Sequence, residues 1–96
     1  KLLELAMALM NEPKMLLLDE PTAGINPTLI NGIIDRLIQV NKEYSITLLV
    51  IEHNMKVIMN LAQKVFCLAH GKMLANGTPE EIRNDKRVLD AYLGVQ

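Results

Sequence analysis

The chain has 96 residues, with 10 basic and 11 acidic side chains and a net charge of −1. This near-neutral balance argues against a nucleic-acid partner held by phosphate charge, and no apolar run approaches the roughly 20 residues that span a bilayer. Half of the residues are hydrophobic, and a chain this short buries only about 60–65% of its unfolded surface, so we expect some apolar surface to need a partner.

The first part of the chain is predicted to form a helix and then a buried strand. Residues 1–10 are rich in Leu, Ala and Met, which favour helix, and a proline at position 13 ends the segment. The chain begins at Lys1 without a Met, which we interpret as a cut. Residues 15–18 are apolar throughout, as in a strand covered on both faces. Asp19 and Glu20 follow at once, and the next residue, a proline, cannot extend a sheet ladder.

Two adjacent carboxylates at the end of a buried strand suggest a chemical role, because charges are rarely placed beside a core without one. In nucleotide hydrolases, a carboxylate here holds Mg²⁺ on the phosphates, and a second one can orient or deprotonate the attacking water. The alternative, from these residues alone, is a strand that leaves the core for solvent through Asp19 and Glu20.

A long helix and a second strand follow. Asn26 and Pro27 form a helix start, with a capping side chain and then a proline at the first helical position. Apolar residues at helical spacing predict a buried face. They are Leu29, Ile33, Leu37 and Val40, with Ile30, Ile34 and Ile38 beside them. Residues 46–51 are again apolar and end in a Glu-His-Asn run. Such strands, joined through a helix, predict a parallel sheet covered on both faces.

The last part of the chain is predicted to form a hairpin flanked by short helices. Residues 65–69 and 72–75 indicate two strands joined by a turn at His70 and Gly71. The single cysteine, Cys67, is expected to be inert packing in the first of them. A helix before the hairpin is expected to pack through Met55, Ile58, Leu61 and Ala62. Thr78 begins a capping box. The last helix is expected to use Asp85 as its cap, Val88, Leu89, Tyr92 and Leu93 as its apolar face, and Gly94 as its end.

The predicted topology brings distant polar residues to one edge. A strand, a helix and a second strand make a crossover in which both strands run the same way. Their carboxyl ends then share an edge, and open parallel sheets bind ligands at that edge. Asp19, Glu20 and His53 occupy these ends, so we expect them to lie close together although more than thirty positions separate the imidazole from the carboxylates.

These segments in this order resemble the ATP-binding cassette (ABC) ATPases, the motor subunits of ABC transporters. Residues 16–22, Leu-Leu-Leu-Asp-Glu-Pro-Thr, look like the Walker B strand with its catalytic Glu. Residues 23–26, Ala-Gly-Ile-Asn, look like the D-loop, and His53 looks like the switch histidine. The resemblance covers nearly the whole chain. It implies an α/β fold that is part of a P-loop NTPase, with parallel strands, crossover helices, a C-terminal β-hairpin and helices.

The resemblance implies ATP and Mg²⁺ as cofactors and assigns roles to five residues. Asp19 would reach Mg²⁺ through water. Glu20 would act as general base on the attacking water. His53 would hydrogen-bond the γ-phosphate or that water. Gly24 and Asn26 would belong to the nucleotide-binding loop, with Asn26 touching a second ATPase subunit across a dimer interface.

Each assignment has a purely structural alternative. Asp19 could cap a turn, Glu20 could be a surface acid, and His53 could be structural. Gly24 could serve an unusual backbone angle, and Asn26 could serve only as a helix cap. His70, in the hairpin, is interpreted as structural. The sequence also departs from the family pattern at four positions: Asn26 and Asn54, where many relatives carry Asp; Glu52, where many carry Thr or Ser; and Met7, where Arg is common.

Three family motifs are absent. The chain has no Gly-x-x-x-x-Gly-Lys-Ser/Thr phosphate loop (Walker A), no Gln-bearing loop and no Ser-Gly-Gly signature. Residues 1–96 therefore look like the C-terminal portion of one nucleotide-binding domain. We expect this segment alone neither to bind ATP tightly nor to hydrolyse it. Because its sheet has open edges, we also expect self-association through the strand at residues 15–18.

The C-terminal segment resembles one group within the ABC ATPases. Residues 83–94 look like the ending of the branched-chain amino-acid importers, whose ATPases act with a second ATPase subunit and with membrane permease subunits, on the cytoplasmic face of the membrane. Alternatives are an ATPase of another transport system, such as lipopolysaccharide export, an ABC-type ATPase in DNA repair or chromosome maintenance, and a non-catalytic interaction or dimerisation fragment. The permease and binding protein select the transported solute.

Overall fold

The computed structural model describes residues 2–93. Its helices and strands follow one another in the order α1 (Leu2–Leu9), β1 (Met15–Asp19), α2 (Pro27–Glu43), β2 (Thr47–Ile51), α3 (Met55–Leu61), β3 (Val65–Ala69), β4 (Lys72–Gly77), α4 (Pro79–Arg83) and α5 (Lys86–Val88), and a π-helical turn (Leu89–Leu93) ends the series. The chain forms two compact units, Lys1–Val57 and Ile58–Gln96. No helix within residues 2–93 is both long and apolar enough to cross a membrane.

The first unit contains the predicted parallel strand pair. β1 and β2 are hydrogen-bonded neighbours in parallel, with Met15 opposite Thr47 and Asp19 opposite Ile51. Residues of both strands and of α1 and α2 build a common core. Its members are Leu16, Val40 and Ile46, with Leu5, Ala8, Leu9 and Leu48 packed against them. The side-by-side, same-direction arrangement predicted from the apolar runs is therefore confirmed.

α2 begins where its sequence predicts. The Asn26 side chain accepts a hydrogen bond from the Thr28 backbone N–H, and Pro27 occupies the first turn. The apolar stripe is buried through Ile30, Ile33, Ile34, Leu37 and Val40. The prediction for Leu29 is wrong, because its side chain is 61% exposed. The buried stripe begins one residue later, at Ile30.

The expectation that both faces of the parallel pair are covered is also wrong. Alternate side chains point to opposite faces of a strand, and only one face is covered within residues 2–93. Leu16, Leu18, Leu48 and Val50 are buried or half-buried, whereas Met15, Leu17, Leu49 and Ile51 are exposed by 48–70%. The expected uncovered apolar surface is therefore this face of the pair, which we call the open sheet face (Met15, Leu17, Leu49 and Ile51).

The second unit is built on the predicted hairpin. β3 and β4 pair antiparallel through the turn at His70 and Gly71, with a bulge between Cys67 and Leu68. Both turn residues have positive φ, 54° and 75°, as a tight two-residue hairpin requires. β4 continues to Gly77, two residues beyond the predicted end. The core of this second unit consists of Cys67, Ala75, Ile82 and Val88, with Val65 and Leu74 packed against it. Cys67 is therefore a buried packing residue.

The helix caps match their sequence signals. The Thr78 side chain accepts from the Glu81 backbone N–H, and the Glu81 side chain accepts from the Thr78 N–H, which completes the capping box. Asp85 caps α5. In α3 the fully buried side chain is Val57, which the predicted face omitted, and Met55, Ile58, Leu61 and Ala62 are half-buried. Gly94, the predicted end of the last helix, lies outside the described residues.

Candidate active site

The predicted site residues lie where β1 and β2 end. Because the strands are parallel and in register up to Asp19 and Ile51, the segments that leave them start side by side. The Glu20 N–H donates to the Ile51 carbonyl at 2.7 Å, which extends the pairing by one residue. The loop after β1 and the loop after β2 therefore leave the sheet together.

The structure brings Glu20 and His53 into direct contact. His53 Nδ1 lies 2.9 Å from Glu20 Oε1, across 33 positions of sequence. An ionised carboxylate can only accept, so Nδ1 must carry the proton. The pair is open to solvent, with 73% of the His53 side chain and 47% of the Glu20 side chain exposed. It can therefore reach a water molecule or a phosphate brought from outside the chain.

Glu20 has an unusual backbone conformation. Its φ is +48°, in the left-handed region that costs energy for residues other than glycine. Two backbone hydrogen bonds hold it: the one to Ile51, and one from the Ala23 N–H to the Glu20 carbonyl at 3.0 Å. This conformation turns the chain sharply at the end of β1, at the residue whose carboxylate meets His53.

A third carboxylate, to which the sequence pattern assigned no role, joins the two loops. Glu52 Oε1 accepts from the Thr22 hydroxyl at 2.7 Å and from the Thr22 N–H at 3.2 Å. Glu52 Oε2 accepts from the Asn54 N–H at 3.3 Å. Thr22 is 6% exposed and is the buried polar residue of the described chain. The signal in the sequence was the acidic residue placed directly before His53, which was treated only as a departure from the family pattern.

Asp19 is the last residue of β1 and lies directly before Glu20 in the chain. It lines an open, mainly apolar cavity of about 260 Å³ between β1, α1 and α2, to which neither Glu20 nor His53 contributes. Within residues 2–93, no three His, Cys, Asp or Glu side chains are grouped as a metal site. An exposed single carboxylate still fits Mg²⁺, because this ion keeps several waters and binds through one or two carboxylates together with substrate phosphates.

Gly24 and Asn26 lie in the exposed loop between β1 and α2. Gly24 has a φ of +73° and open space around the position of a Cβ, so its backbone angle explains the glycine. Asn26 Oδ1 accepts from both the backbone N–H and the hydroxyl of Thr28, each at 3.0 Å. The side-chain oxygen of Asn26 is thus engaged in capping α2.

Sequence comparisons identify similar proteins. Residues 72–96 match a family described as the branched-chain amino acid ATP-binding cassette transporter. Over 92 residues, the chain is 41% identical to the high-affinity branched-chain amino acid transport ATP-binding protein LivG of Salmonella typhimurium. It is 40% identical to BraF of Pseudomonas aeruginosa over the same length. In both cases 96% of this chain is matched, but the chain spans only 36% of the relative.

Solved structures give the same result for the fold. The ADP conformation of MJ1267, an ATP-binding cassette of an ABC transporter, matches with a TM-score of 0.82 at 30% identity, over 95% of this chain and 37% of the other. CbiO1 of Clostridium perfringens, part of the ABC transporter complex cbiONQ, matches with a TM-score of 0.78 at 33% identity, over 93% and 37%. The predicted α/β fold with parallel strands and a C-terminal hairpin is confirmed.

Proposed function

The chain resembles, in sequence and in fold, the C-terminal part of the ATP-binding subunits of ABC transporters, and on this premise we propose that it supplies part of an ATP-hydrolysing site. The observation that carries the proposal is the 2.9 Å contact between Glu20 and His53 at the ends of two parallel strands. The contact joins a candidate base to a hydrogen-bonding imidazole at a solvent-exposed edge.

We assign each site residue a role in ATP hydrolysis. Glu20 is the general base that takes a proton from the attacking water. His53 donates from Nδ1 to Glu20. Its Nε2 can accept from the attacking water when the imidazole is neutral, or donate to a γ-phosphate oxygen when the imidazole is protonated. Asp19 would hold Mg²⁺ through water, and the bound ion would supply positive charge against the phosphate oxygens. Gly24 and Asn26 shape the loop that meets a second ATPase subunit. The rate depends on the positions of these groups.

We further propose that residues 1–96 are the C-terminal portion of one nucleotide-binding domain and that the phosphate-binding residues come from another part of it. Because the 96-residue sequence has no Walker A loop, the chain alone is inactive. The transported solute is a branched-chain amino acid, as the names of its relatives suggest. The subunit pairs with a second ATPase subunit on membrane permeases at the cytoplasmic face.

The experiment is an assay of Mg²⁺-dependent ATP hydrolysis by the complete polypeptide that contains this segment. We expect Glu20→Gln to lower kcat by about 10²-fold or more, since that is the usual contribution of a general base, and to leave ATP binding intact. His53→Ala should also lower kcat. The 96-residue chain alone should show no turnover.

Glu43→Gln is the matched control. Glu43 lies at the exposed end of α2 and, within residues 2–93, accepts from Gln39 at 3.1 Å, so its loss should leave kcat unchanged. Wild-type turnover by the Glu20→Gln variant would remove Glu20 from the role of base and would refute the proposal.

A further inference from the structure

Glu52 accepts hydrogen bonds from a residue close in sequence to each member of the proposed catalytic pair. Thr22 lies two positions after Glu20, and Asn54 lies one position after His53. Both are bonded to the same Glu52 carboxylate, through three hydrogen bonds of 2.7–3.3 Å. Each loop is therefore anchored within two residues of the side chain that it presents.

The Glu20–His53 contact is too exposed to hold the loops by itself. Exposed ion pairs contribute only about 0–1 kcal/mol, and most of the His53 side chain faces solvent. Thr22, in contrast, is 6% exposed, and a buried donor needs a partner. Bonds to an ionised acceptor are also shorter and stronger than neutral ones. The linkage through Glu52 is thus the more rigid of the two connections between the loops.

The backbone of Glu20 needs such support. A residue other than glycine at a φ of +48° persists only where its surroundings impose the conformation. Thr22 is two residues further along the same turn, and its backbone N–H is held by Glu52. Fixing Thr22 therefore fixes the third residue of the turn that begins at Glu20 and closes at Ala23.

We propose that Glu52 is a positioning residue, whose carboxylate ties the loop after β1 to the loop after β2 and so sets the separation between Glu20 and His53. The inference rests on the proposed ATPase function, because the separation matters there for the rate. Glu52 does not touch the reacting atoms in this scheme. It acts only through the two side chains that its loops present.

Two substitutions test the linkage at different ends. In Glu52→Gln, one oxygen still accepts from Thr22, but the new amide places a donor against the Asn54 N–H. Since a misplacement of about 1 Å costs about 10²-fold in rate, we expect kcat to fall by about tenfold or more, with KM for ATP unchanged. Thr22→Val removes the hydroxyl and should lower kcat in the same way, whereas Thr22→Ser keeps it and should restore kcat.

A double variant shows whether Glu52 acts through Glu20. If it does, adding Glu52→Gln to Glu20→Gln should lower kcat by a smaller factor than Glu52→Gln does alone, because effects that pass through one group do not add. Full additivity would contradict the inference. So would a Glu52→Gln variant with wild-type kcat and wild-type thermal unfolding.

A second readout separates this inference from the proposed function. In the ¹⁵N-histidine spectrum of the same polypeptide, Glu52→Gln should shift the His53 Nδ1 signal, because the imidazole loses its fixed contact with Glu20. If Glu20→Gln leaves turnover intact, the proposed function fails, and a His53 shift in Glu52→Gln still supports the linkage. An unchanged His53 signal in Glu52→Gln overturns the linkage whatever the activity.

Discussion

At the scale of single residues, the strongest contacts of the candidate site are not the ones to which we assign the chemistry. The Glu20–His53 pair is exposed, while Glu52 and Thr22 form the shorter and less exposed bond of 2.7 Å. A hydrogen bond to a charged group contributes about 1.5–3 kcal/mol, more than an exposed pair does. The contact proposed to be reactive is thus distinct from the contacts proposed to hold it.

Glu81 provides a residue whose charge is linked to stability. The pKa of the Glu81 carboxyl is lowered below its ordinary value of 4.5. The largest cause is the Thr78 N–H, which donates to this carboxylate at 2.8 Å. Because the folded-state pKa is lowered, the ionised Glu81 stabilises the fold at a pH above its ordinary pKa. This stabilisation is lost as the pH falls through the folded-state pKa. Glu81→Gln should therefore destabilise the chain most near neutral pH.

The measurement is the free energy of unfolding of the wild type and of Glu81→Gln, from about pH 6 to about pH 3. The difference between the two should shrink towards acid. Glu80→Gln is the control, since it removes a neighbouring carboxylate that does not accept the Thr78 N–H. A Glu81→Gln difference that stays constant over this range would contradict the assignment.

At the scale of helices and strands, local signals predicted most of the boundaries. Caps at Asn26, Thr78 and Asp85 lie where the sequence indicates, because a cap depends on residues only two or three positions away. Exposure was predicted less well. Leu29 and the open sheet face are exposed, since periodicity gives the direction of an apolar residue but not what covers it.

The open sheet face leads to a prediction about association. Both strands of the described pair have an unpaired edge, and their uncovered side chains are apolar, with Leu17 70% exposed. Open edges and apolar patches promote association between chains. We expect the 96-residue chain to self-associate with rising concentration in light scattering, and we expect Leu17→Lys to reduce this association.

Leu3→Lys is the matched control for association. Leu3 is 72% exposed but lies on α1, outside the strand pair. A lysine there adds the same charge without touching the open sheet face, so it should leave association nearly as in the wild type. A strictly monomeric wild-type chain, or equal effects of the two lysines, would show that this face is not responsible.

At the scale of the whole molecule, the sequence predicted which residues meet at the site better than it predicted the hydrogen bonds around them. Two apolar runs joined by a helix were enough to predict that Glu20 and His53 meet, because parallel strands leave a sheet at one edge. The resemblance to ABC ATPases, carried by the residues around these ends, is likewise confirmed. The Glu52–Thr22 bond was missed, because Glu52, directly before His53, was interpreted only as a departure from the family pattern.

The central claim is that the two parallel strands hold the His53 imidazole against the Glu20 carboxylate. The most direct test is ¹⁵N NMR of the histidine-labelled chain, at a pH where the imidazoles are neutral, because ¹⁵N shifts show which ring nitrogen carries the proton. His70 lies in the exposed turn of the hairpin and serves as the internal reference. We predict that His53 is protonated at Nδ1 and that Glu20→Gln shifts its signals while those of His70 stay in place. A His53 protonated mainly at Nε2, with signals that do not respond to Glu20→Gln, would contradict the account.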